Sequence, residues 1–192
     1  MIIGKKTINI FIYFIFVLFI FSLYKRIPHI DDAWLGEQVY WLSKEGIVRN
    51  VLMKYFYNSQ VELIAYHKLT IWIGVVFTNI FGFSLMALKS VGLISLLIFM
   101  STFYYYTVII NKLVSKQNFL LVAGLILIAP HVFEFSFVFR PELPMIATSF
   151  ISFVFLDLSR NNKKETLFII ISAVFVGISV LIHLNGLIFI SS

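Results

Sequence analysis

The chain is organised as long apolar runs separated by short polar loops. A helix needs about 20 apolar residues to cross a bilayer, and local thinning of the bilayer accommodates shorter runs. The apolar runs are continuous, whereas the strands of a β-barrel alternate apolar and polar residues. This pattern predicts membrane-spanning helices at about 7–24, 90–110, 118–138, 143–158 and 166–184.

The composition is also that of a membrane protein. Apolar residues make up 60% of the 192 residues, charged residues 12%, and the mean hydropathy is +0.98. A water-soluble domain of this composition would expose apolar patches far larger than such domains normally carry. We therefore expect an all-α fold, a multi-pass transmembrane helical bundle in which residues 1–192 form a single module. Cysteine is absent, which excludes disulfides and thiolate metal sites within these residues.

The segment 64–83 decides between two topologies. It is apolar enough to span the membrane, but it carries a histidine, a lysine and an asparagine. If it spans, the basic loops 111–117 and 159–165 face outside, against the tendency of positive charge to stay in the cytoplasm. If it lies in the interface or re-enters, five spans place both loops inside together with Lys5 and Lys6. We favour five spans, in the cell membrane (inner or plasma), with a cytoplasmic N-terminus and an uncleaved first span.

The five-span topology gathers ionisable residues on the outer side. Polar groups near a bilayer are costly and usually serve a function. A one-sided set of acids, histidines and an arginine is what an active site at the outer leaflet would need; the alternative is that the loops are simply polar. The set consists of Asp31, Asp32, Glu37, Glu45, Glu62, Glu134, Arg140, Glu142, His29, His67, His131 and His183.

The first outer loop predicts an amphipathic helix that lies in the membrane interface. Asp31 or Asp32 is a suitable N-cap for a helix that starts near Ala33, and Gly46 is a suitable C-cap. Tryptophans on the apolar face would lie at the depth of the lipid head groups, with the capping carboxylates close by. Capping alone would also explain both aspartates. The predicted apolar face consists of Trp34, Leu35, Gln38, Trp41 and Leu42.

The run DDAWLGEQVYWLSKEG (31–46) resembles the first-loop motif of the GT-C glycosyltransferases. These include the dolichyl-phosphate-mannose protein mannosyltransferases and the bacterial aminoarabinose–lipid A transferases. The motif has Asp-Glu after the first span, then alanine, an aromatic residue and a later glycine. Asp32 stands where glutamate is usual, which keeps the charge but shortens its reach. The matching positions are Asp31, Asp32, Ala33, Trp34 and Gly46.

Later segments resemble the same family in the same order. FGFSLMALKSVGLIS (81–95) resembles a Phe-Gly-x-Ser segment that leads to a basic residue and the next span. FRPELP (139–144) lies where the family has a second acidic position, and GISVLIHLNGLIF (177–189) resembles a later span. The resemblance covers nearly all of the chain. Because family members usually have more spans, the chain is similar to the N-terminal part of a longer protein.

The resemblance implies transfer of a sugar, with inversion, from a polyprenyl-phosphate donor to an acceptor hydroxyl at the extracytoplasmic face. Asp31 would be the general base and Asp32 the second catalytic acid. Positive charge would stabilise the leaving phosphate. The implied partners are membrane lipids, the lipid-linked donor and an unspecified acceptor, without nucleic acid. The substrate- and phosphate-binding residues would be Lys89, Arg140, Glu142 and His183.

Each of these binding candidates also has a structural explanation. Arg140 could pair with Glu142 or with Glu134 rather than with a phosphate. Lys89 could anchor its helix at the interface by extending its ammonium group to the head groups. His183 could hydrogen-bond a neighbouring helix. The sequence leaves these alternatives open.

We expect no cofactor, with a divalent metal as the open alternative. His29, Asp31 and Asp32 are too crowded to coordinate an ion without distant partners, of which Glu142 is one candidate. The competing function is a non-enzymatic multi-pass membrane protein, such as a carrier or an accessory subunit of envelope glycan assembly. A carrier would favour internal repeats and helices broken at the midplane, and the sequence shows no convincing repeat.

Overall fold

The computed structural model describes residues 5–24, 26–52, 61–63, 67–160 and 163–190. Throughout these ranges the regular elements are helices and no strand occurs, which confirms the all-α class. A π-helical segment, Tyr105–Ile110, continues α4, and a 3₁₀ segment, Leu184–Ile190, follows α8. The helices are α1 (Lys5–Tyr24), α2 (Ile30–Glu45), α3 (Lys68–Phe81), α4 (Leu85–Tyr104), α5 (Lys116–Ile128), α6 (Pro130–Phe135), α7 (Glu142–Ser159) and α8 (Glu165–Ile182).

Among the described residues, three helices are long and apolar enough to cross a membrane. They are α4 with its π-helical continuation, α7 and α8, with mean hydropathies of 1.9, 1.4 and 2.4. Helices α3 and α5 are apolar but shorter. These lengths support an association with the membrane.

The predicted span at 118–138 is wrong as a single helix. Helix α5 ends at Ile128, Ala129 is extended (φ −60°, ψ 127°), and Pro130 begins α6. Proline lacks a backbone N–H and disfavours the helical conformation of the residue before it, so it separates the two helices. The 13 residues of α5 reach about 20 Å, which is less than the hydrocarbon thickness of about 30 Å.

Ion pairs show which helix ends lie together. Asp32 in the first turn of α2 pairs with Lys89 near the start of α4, and Asp31 pairs with Arg140 just before α7. Helix α1 ends just before α2, and α8 packs back along α7 after a short connection. The C-termini of α1 and α8 therefore lie with the N-termini of α2, α4 and α7. We call this the site end of the molecule.

Exposed basic residues lie at the opposite end. The α4–α5 and α7–α8 connections are both there, and Tyr106 Oη donates a hydrogen bond of 3.0 Å to Asp157 Oδ2 between them. Asp157 and Glu165 lie at this end as well, and the separation of the basic loops from the acidic residues by a membrane stays a prediction. The exposed cations at this end are Lys112, Lys116, Arg160, Lys163 and Lys164, whereas the exposed Lys44 and Lys68 lie on α2 and at the start of α3.

Helix α3 lies across the site end. His67, at its start, stacks on His183, which follows α8, and Gly82 at its end leads directly into α4. Both ends of α3 therefore lie at the same end of the molecule. Its 14 residues extend about 21 Å. Residues 64–66 of the predicted segment 64–83 lie outside the described residues, and the choice between five and six spans stays a prediction.

The predicted N-cap of α2 is wrong by two residues or more. His29 is the N-cap: its Nδ1 accepts a hydrogen bond from Asp31 N (3.2 Å), and Asp32 Oδ2 accepts one from His29 N (2.8 Å). This is a capping box with an aspartate in the third helical position. The C-cap is confirmed, because Gly46 has φ 73° and its N–H bonds Leu42 O at 3.1 Å.

The apolar face of α2 packs on protein. Leu35 and Val39 form a buried cluster with Ile71 and Val75 of α3 and with Phe139. Trp34 and Leu42 pack against this cluster, and Gln38 is 2% exposed. The predicted face therefore packs mainly against α3, α4 and Phe139.

Candidate functional site

A half-buried arginine joins two carboxylates at the site end. Arg140 Nε lies 3.2 Å from Asp31 Oδ2 and 3.1 Å from Glu142 Oε2, and Arg140 Nη2 lies 2.5 Å from Glu142 Oε1. The arginine therefore donates two hydrogen bonds to Glu142 and forms an ion pair with Asp31. Side-chain exposures of 28%, 20% and 27% for Arg140, Asp31 and Glu142 leave all three within reach of a ligand.

The local sequence positions Asp31, Arg140 and Glu142, which we call the array. Glu142 is the first residue of α7, where a negative charge is favoured by the helix dipole. Arg140 precedes it by two residues, and its guanidinium lies 4.4 Å from the ring centroid of Phe135, within the range of a cation–π interaction. The same Oδ2 of Asp31 also lies 3.2 Å from Nδ1 of His29, the nitrogen that accepts the capping hydrogen bond from Asp31 N. The N-terminus of α2 and the start of α7 thus meet at this carboxylate.

The second aspartate has a different environment. Asp32 Oδ2 lies 3.4 Å from Lys89 Nζ, and the two side chains are only 1% and 4% exposed. Asp32 Oδ1 accepts a hydrogen bond of 2.7 Å from Phe139 N, and its Oδ2 accepts the capping bond from His29 N. Lys89 Nζ also donates to Ile27 O at 3.5 Å. The buried pair ties α2, α4 and the segment before α7 together.

The adjacent aspartates are therefore not equivalent. Both oxygens of Asp32 are engaged inside the protein, so this carboxylate is occupied in holding the fold. Asp31 stays at the surface of the same helix turn. Its charge is shared with an arginine that also serves Glu142, and a carboxylate in such a position can accept a proton from a hydroxyl. Of the two, Asp31 has the geometry of a reactive group.

The predicted phosphate ligands do not all lie together. Arg140 and Glu142 lie beside Asp31, whereas Lys89 pairs with the buried Asp32. His183 stacks on His67, with ring centroids 4.6 Å apart. Among the described residues, no group of three His, Asp or Glu side chains could hold a metal ion. The divalent-metal alternative therefore stays a prediction that these contacts do not test.

His67 and His29 belonged to the predicted outer set of ionisable residues but were assigned no catalytic or phosphate-binding role. Burial, followed by the proximity of His183, lowers the pKa of His67, so this imidazole is neutral at neutral pH. The charges of Glu142 and Arg140 also act on it, which places the histidine stack close to the array. His29 could have been found from its position two residues before Asp31. The stacking of His67 on His183 had no such signal, because the two histidines are far apart in sequence.

An apolar groove of about 410 Å³ opens beside the buried pair. Gly36 of α2 allows a close approach to α4, since a Cβ there would lie 3.0 Å from Leu88 Cδ1. Tyr40 and Phe83 form an edge-to-face pair with centroids 5.4 Å apart on the same groove. Its walls are those of a site for an apolar chain, with Asp32 and Glu37 as the acidic residues among its lining.

Comparison of the chain with protein-family models, curated protein sequences and solved structures gives no match. What the chain does must therefore be inferred from the geometry at the site end and from the motifs of the sequence. The geometry consists of two partly exposed carboxylates, the arginine between them and one apolar groove, at the end of helices of membrane-spanning length.

Proposed function

We propose that the chain is a membrane glycosyltransferase, which moves a hexosyl or pentosyl group from a polyprenyl phosphate to an acceptor hydroxyl. The observation that carries this proposal is the contrast between Asp31 and Asp32. One carboxylate is buried with a lysine, and its neighbour is presented beside an arginine at the end of membrane-length helices. We place this end at the outer face of the cell membrane, with the exposed basic loops in the cytoplasm.

In the proposed reaction, Asp31 removes the proton from the acceptor hydroxyl. The hydroxyl oxygen forms the new bond to the anomeric carbon as the bond from that carbon to the phosphate oxygen breaks. The leaving polyprenyl phosphate takes the electron pair, and the proton stays on Asp31. The base and the leaving group lie on opposite faces of the sugar, which inverts the anomeric centre.

Arg140 is the group that we assign to the leaving phosphate. A guanidinium can bind phosphate with two parallel donors, and charge developing on the phosphate is stabilised by a cation already in place. In this proposal Arg140 turns from Asp31 to the phosphate when the donor binds, which frees the carboxylate to act as a base. Glu142 keeps the arginine in position. The ion pair of Lys89 and Asp32 holds α2 in place, and His183 borders the site.

The apolar groove between α2 and the start of α4 suits the prenyl chain of the donor. Ala33 and Gly36 line it one and four positions beyond Asp32, so a chain in the groove would bring its phosphate to the site end. An apolar chain in such a groove is favoured because it removes apolar surface from contact with water.

We expect Asp31→Asn to abolish transfer while the protein still inserts into the membrane. Asparagine fills the same space but cannot take the proton, and loss of a general base typically lowers the rate by about 10²–10⁴-fold. The measurement is release of polyprenyl phosphate in membrane vesicles that contain the full chain, with a panel of polyprenyl-phosphate hexoses and pentoses. Glu45→Gln is the control, because Glu45 lies on the same helix and pairs only with Arg49 in the described contacts.

Wild-type turnover by Asp31→Asn would sink the assignment of the base. If the unmodified chain releases polyprenyl phosphate from none of the donors, the non-enzymatic carrier or accessory role takes its place. Equal loss of activity in Glu45→Gln would show that the assay responds to general damage to α2.

Single cysteines are expected to report the topology, because the chain has none of its own. Ser43 and Leu113 are both exposed, at the site end and in the α4–α5 connection respectively, and neither substitution changes a charge. A membrane-impermeant maleimide applied to intact cells should label Ser43→Cys and not Leu113→Cys. Labelling of Leu113→Cys from outside would move the basic loops out of the cytoplasm and contradict the five-span topology. Permeabilised cells, in which both should react, provide the control.

A further inference from the structure

A second apolar groove, of about 370 Å³, lies between α1 and the α5–α6 break. Gly124 of α5 lies against Ile15 of α1, since a Cβ at Gly124 would be in ordinary van der Waals contact (3.8 Å) with Ile15 Cδ1. The groove opens to the outside of the molecule: Leu18 is 49% and Ile128 51% exposed. The lining residues are Ile15, Leu18, Phe19, Leu127, Ile128 and Phe133.

An arginine stands at one end of this groove. The guanidinium of Arg26 lies 4.4 Å from the ring centroid of Phe133 and 5.6 Å from that of Phe19, and both rings line the groove. Arg26 follows α1, so the cation lies beyond the end of the groove nearest the C-terminus of that helix. The groove and the arginine together form a site with an apolar body and a positive head.

The charge of Arg26 is not neutralised by the described residues. Its donors bond Ser136 Oγ (2.9 Å), Ser22 Oγ (3.1 Å) and the carbonyl of Glu134 (3.3 Å), which are all neutral acceptors. No ion pair with a carboxylate involves Arg26 within the described ranges, and its Nε is buried without a hydrogen bond. Burial alone lowers the pKa of Arg26. A half-buried cation without a counter-ion is costly, and an anion from outside would relieve that cost.

We infer that this groove binds an anionic membrane phospholipid, with its phosphate on Arg26 and an acyl chain along Ile15, Leu18 and Phe19. The apolar walls exclude a free phosphate as the natural occupant, because such an ion would leave the groove empty. A zwitterionic lipid would bring its own positive charge towards the arginine. An anionic lipid satisfies both the groove and the cation. Its place beside α1 and α6 suits a lipid that stays bound to hold the broken helix in position.

This site is separate from the array around Asp31. Arg26 stacks on Phe133, whereas Arg140 stacks on Phe135. Side chains two residues apart leave a helix in nearly opposite directions, so the two arginines lie on different sides of α6. The inference requires a membrane around the protein but does not depend on its being a transferase.

Native mass spectrometry of the purified full chain tests this inference. The protein in neutral detergent is mixed with phosphatidylglycerol or with phosphatidylcholine of the same acyl chains. We expect the wild type to retain one phosphatidylglycerol with about tenfold preference, since a charge-assisted hydrogen bond contributes roughly this much. Arg26→Gln should lose the preference, and Arg26→Lys should keep part of it.

Two further variants separate binding from folding. Leu18→Trp keeps Arg26 but fills the groove, and it should lower retention of phosphatidylglycerol even if Arg26→Gln does not fold. Arg49→Gln is the matched control, because Arg49 also stacks on an aromatic ring (3.7 Å from the centroid of Trp41) but is neutralised by Glu45. It should leave retention unchanged.

Equal retention of the two lipids by the wild type would overturn the inference, as would an unchanged preference in both Arg26→Gln and Leu18→Trp. Displacement of phosphatidylglycerol by one equivalent of polyprenyl phosphate would assign the groove to a different lipid. Displacement by the same concentration of inorganic phosphate would show that the arginine recognises a free anion and that the groove contributes nothing.

Discussion

Asp32→Ala should destabilise the protein by about 3–5 kcal/mol, because it leaves a buried ammonium without its counter-ion. Lys89 is 3% exposed, so its ammonium group is largely withdrawn from water. The same substitution removes the acceptor of Phe139 N and the acidic half of the α2 capping box. Thermal unfolding of the purified protein in detergent, followed by circular dichroism of the helices, measures the loss.

A compensating variant separates the charge from the hydrogen bond. Asp32→Ala combined with Lys89→Met removes both charges and should recover most of the stability. A residual loss of about 1–3 kcal/mol is expected, because the N–H of Phe139 stays buried without an acceptor. Glu45→Ala breaks the exposed pair with Arg49 and should cost about 1 kcal/mol or less. If Asp32→Ala is as mild as Glu45→Ala, the buried pair does not hold the site end together.

Gly92→Ala should also be strongly destabilising, although alanine is the better helix former by about 1 kcal/mol. A Cβ at Gly92 would lie 2.8 Å from Val138 O, 3.2 Å from Phe135 O and 3.3 Å from Ser136 O. These contacts are with backbone, which cannot rotate away as a side chain can. Overpacking of this kind costs about 1–3 kcal/mol, and here it would push the segment before Arg140 away from α4. Detergent unfolding measures the effect.

Gly177→Ala is the matched control for this prediction. Gly177 also lies inside an apolar helix, but a Cβ there would meet no atom within 4 Å. The substitution should leave stability unchanged or raise it by no more than about 1 kcal/mol. Similar behaviour of the two variants would show that α4 can move away from the 135–138 turn at little cost.

The sequence by itself determined the helices and the ends of some of them. The apolar runs predicted α1, α4, α7 and α8 closely, because a run of about 20 apolar residues is a local property. The cap at Gly46 was also readable, since glycine is favoured where a helix ends in the left-handed conformation. Two predictions were wrong: the continuous helix at 118–138 and the N-cap of α2. In both cases a nearby residue had the stronger effect on the local structure. Pro130 ended the first, and His29 preceded the expected aspartates.

Only the tertiary structure decided the roles within the candidate site. Asp31 and Asp32 are neighbours in sequence, and nothing local distinguishes one carboxylate from the other. Successive residues on a helix point about 100° apart, so one of them had to face the protein, and the partner it met decided its role. Lys89 and Phe139 N, distant in sequence, met Asp32, and Arg140 met Asp31. The energy of a charge depends on its burial and its counter-ions, which only the packing of distant segments supplies.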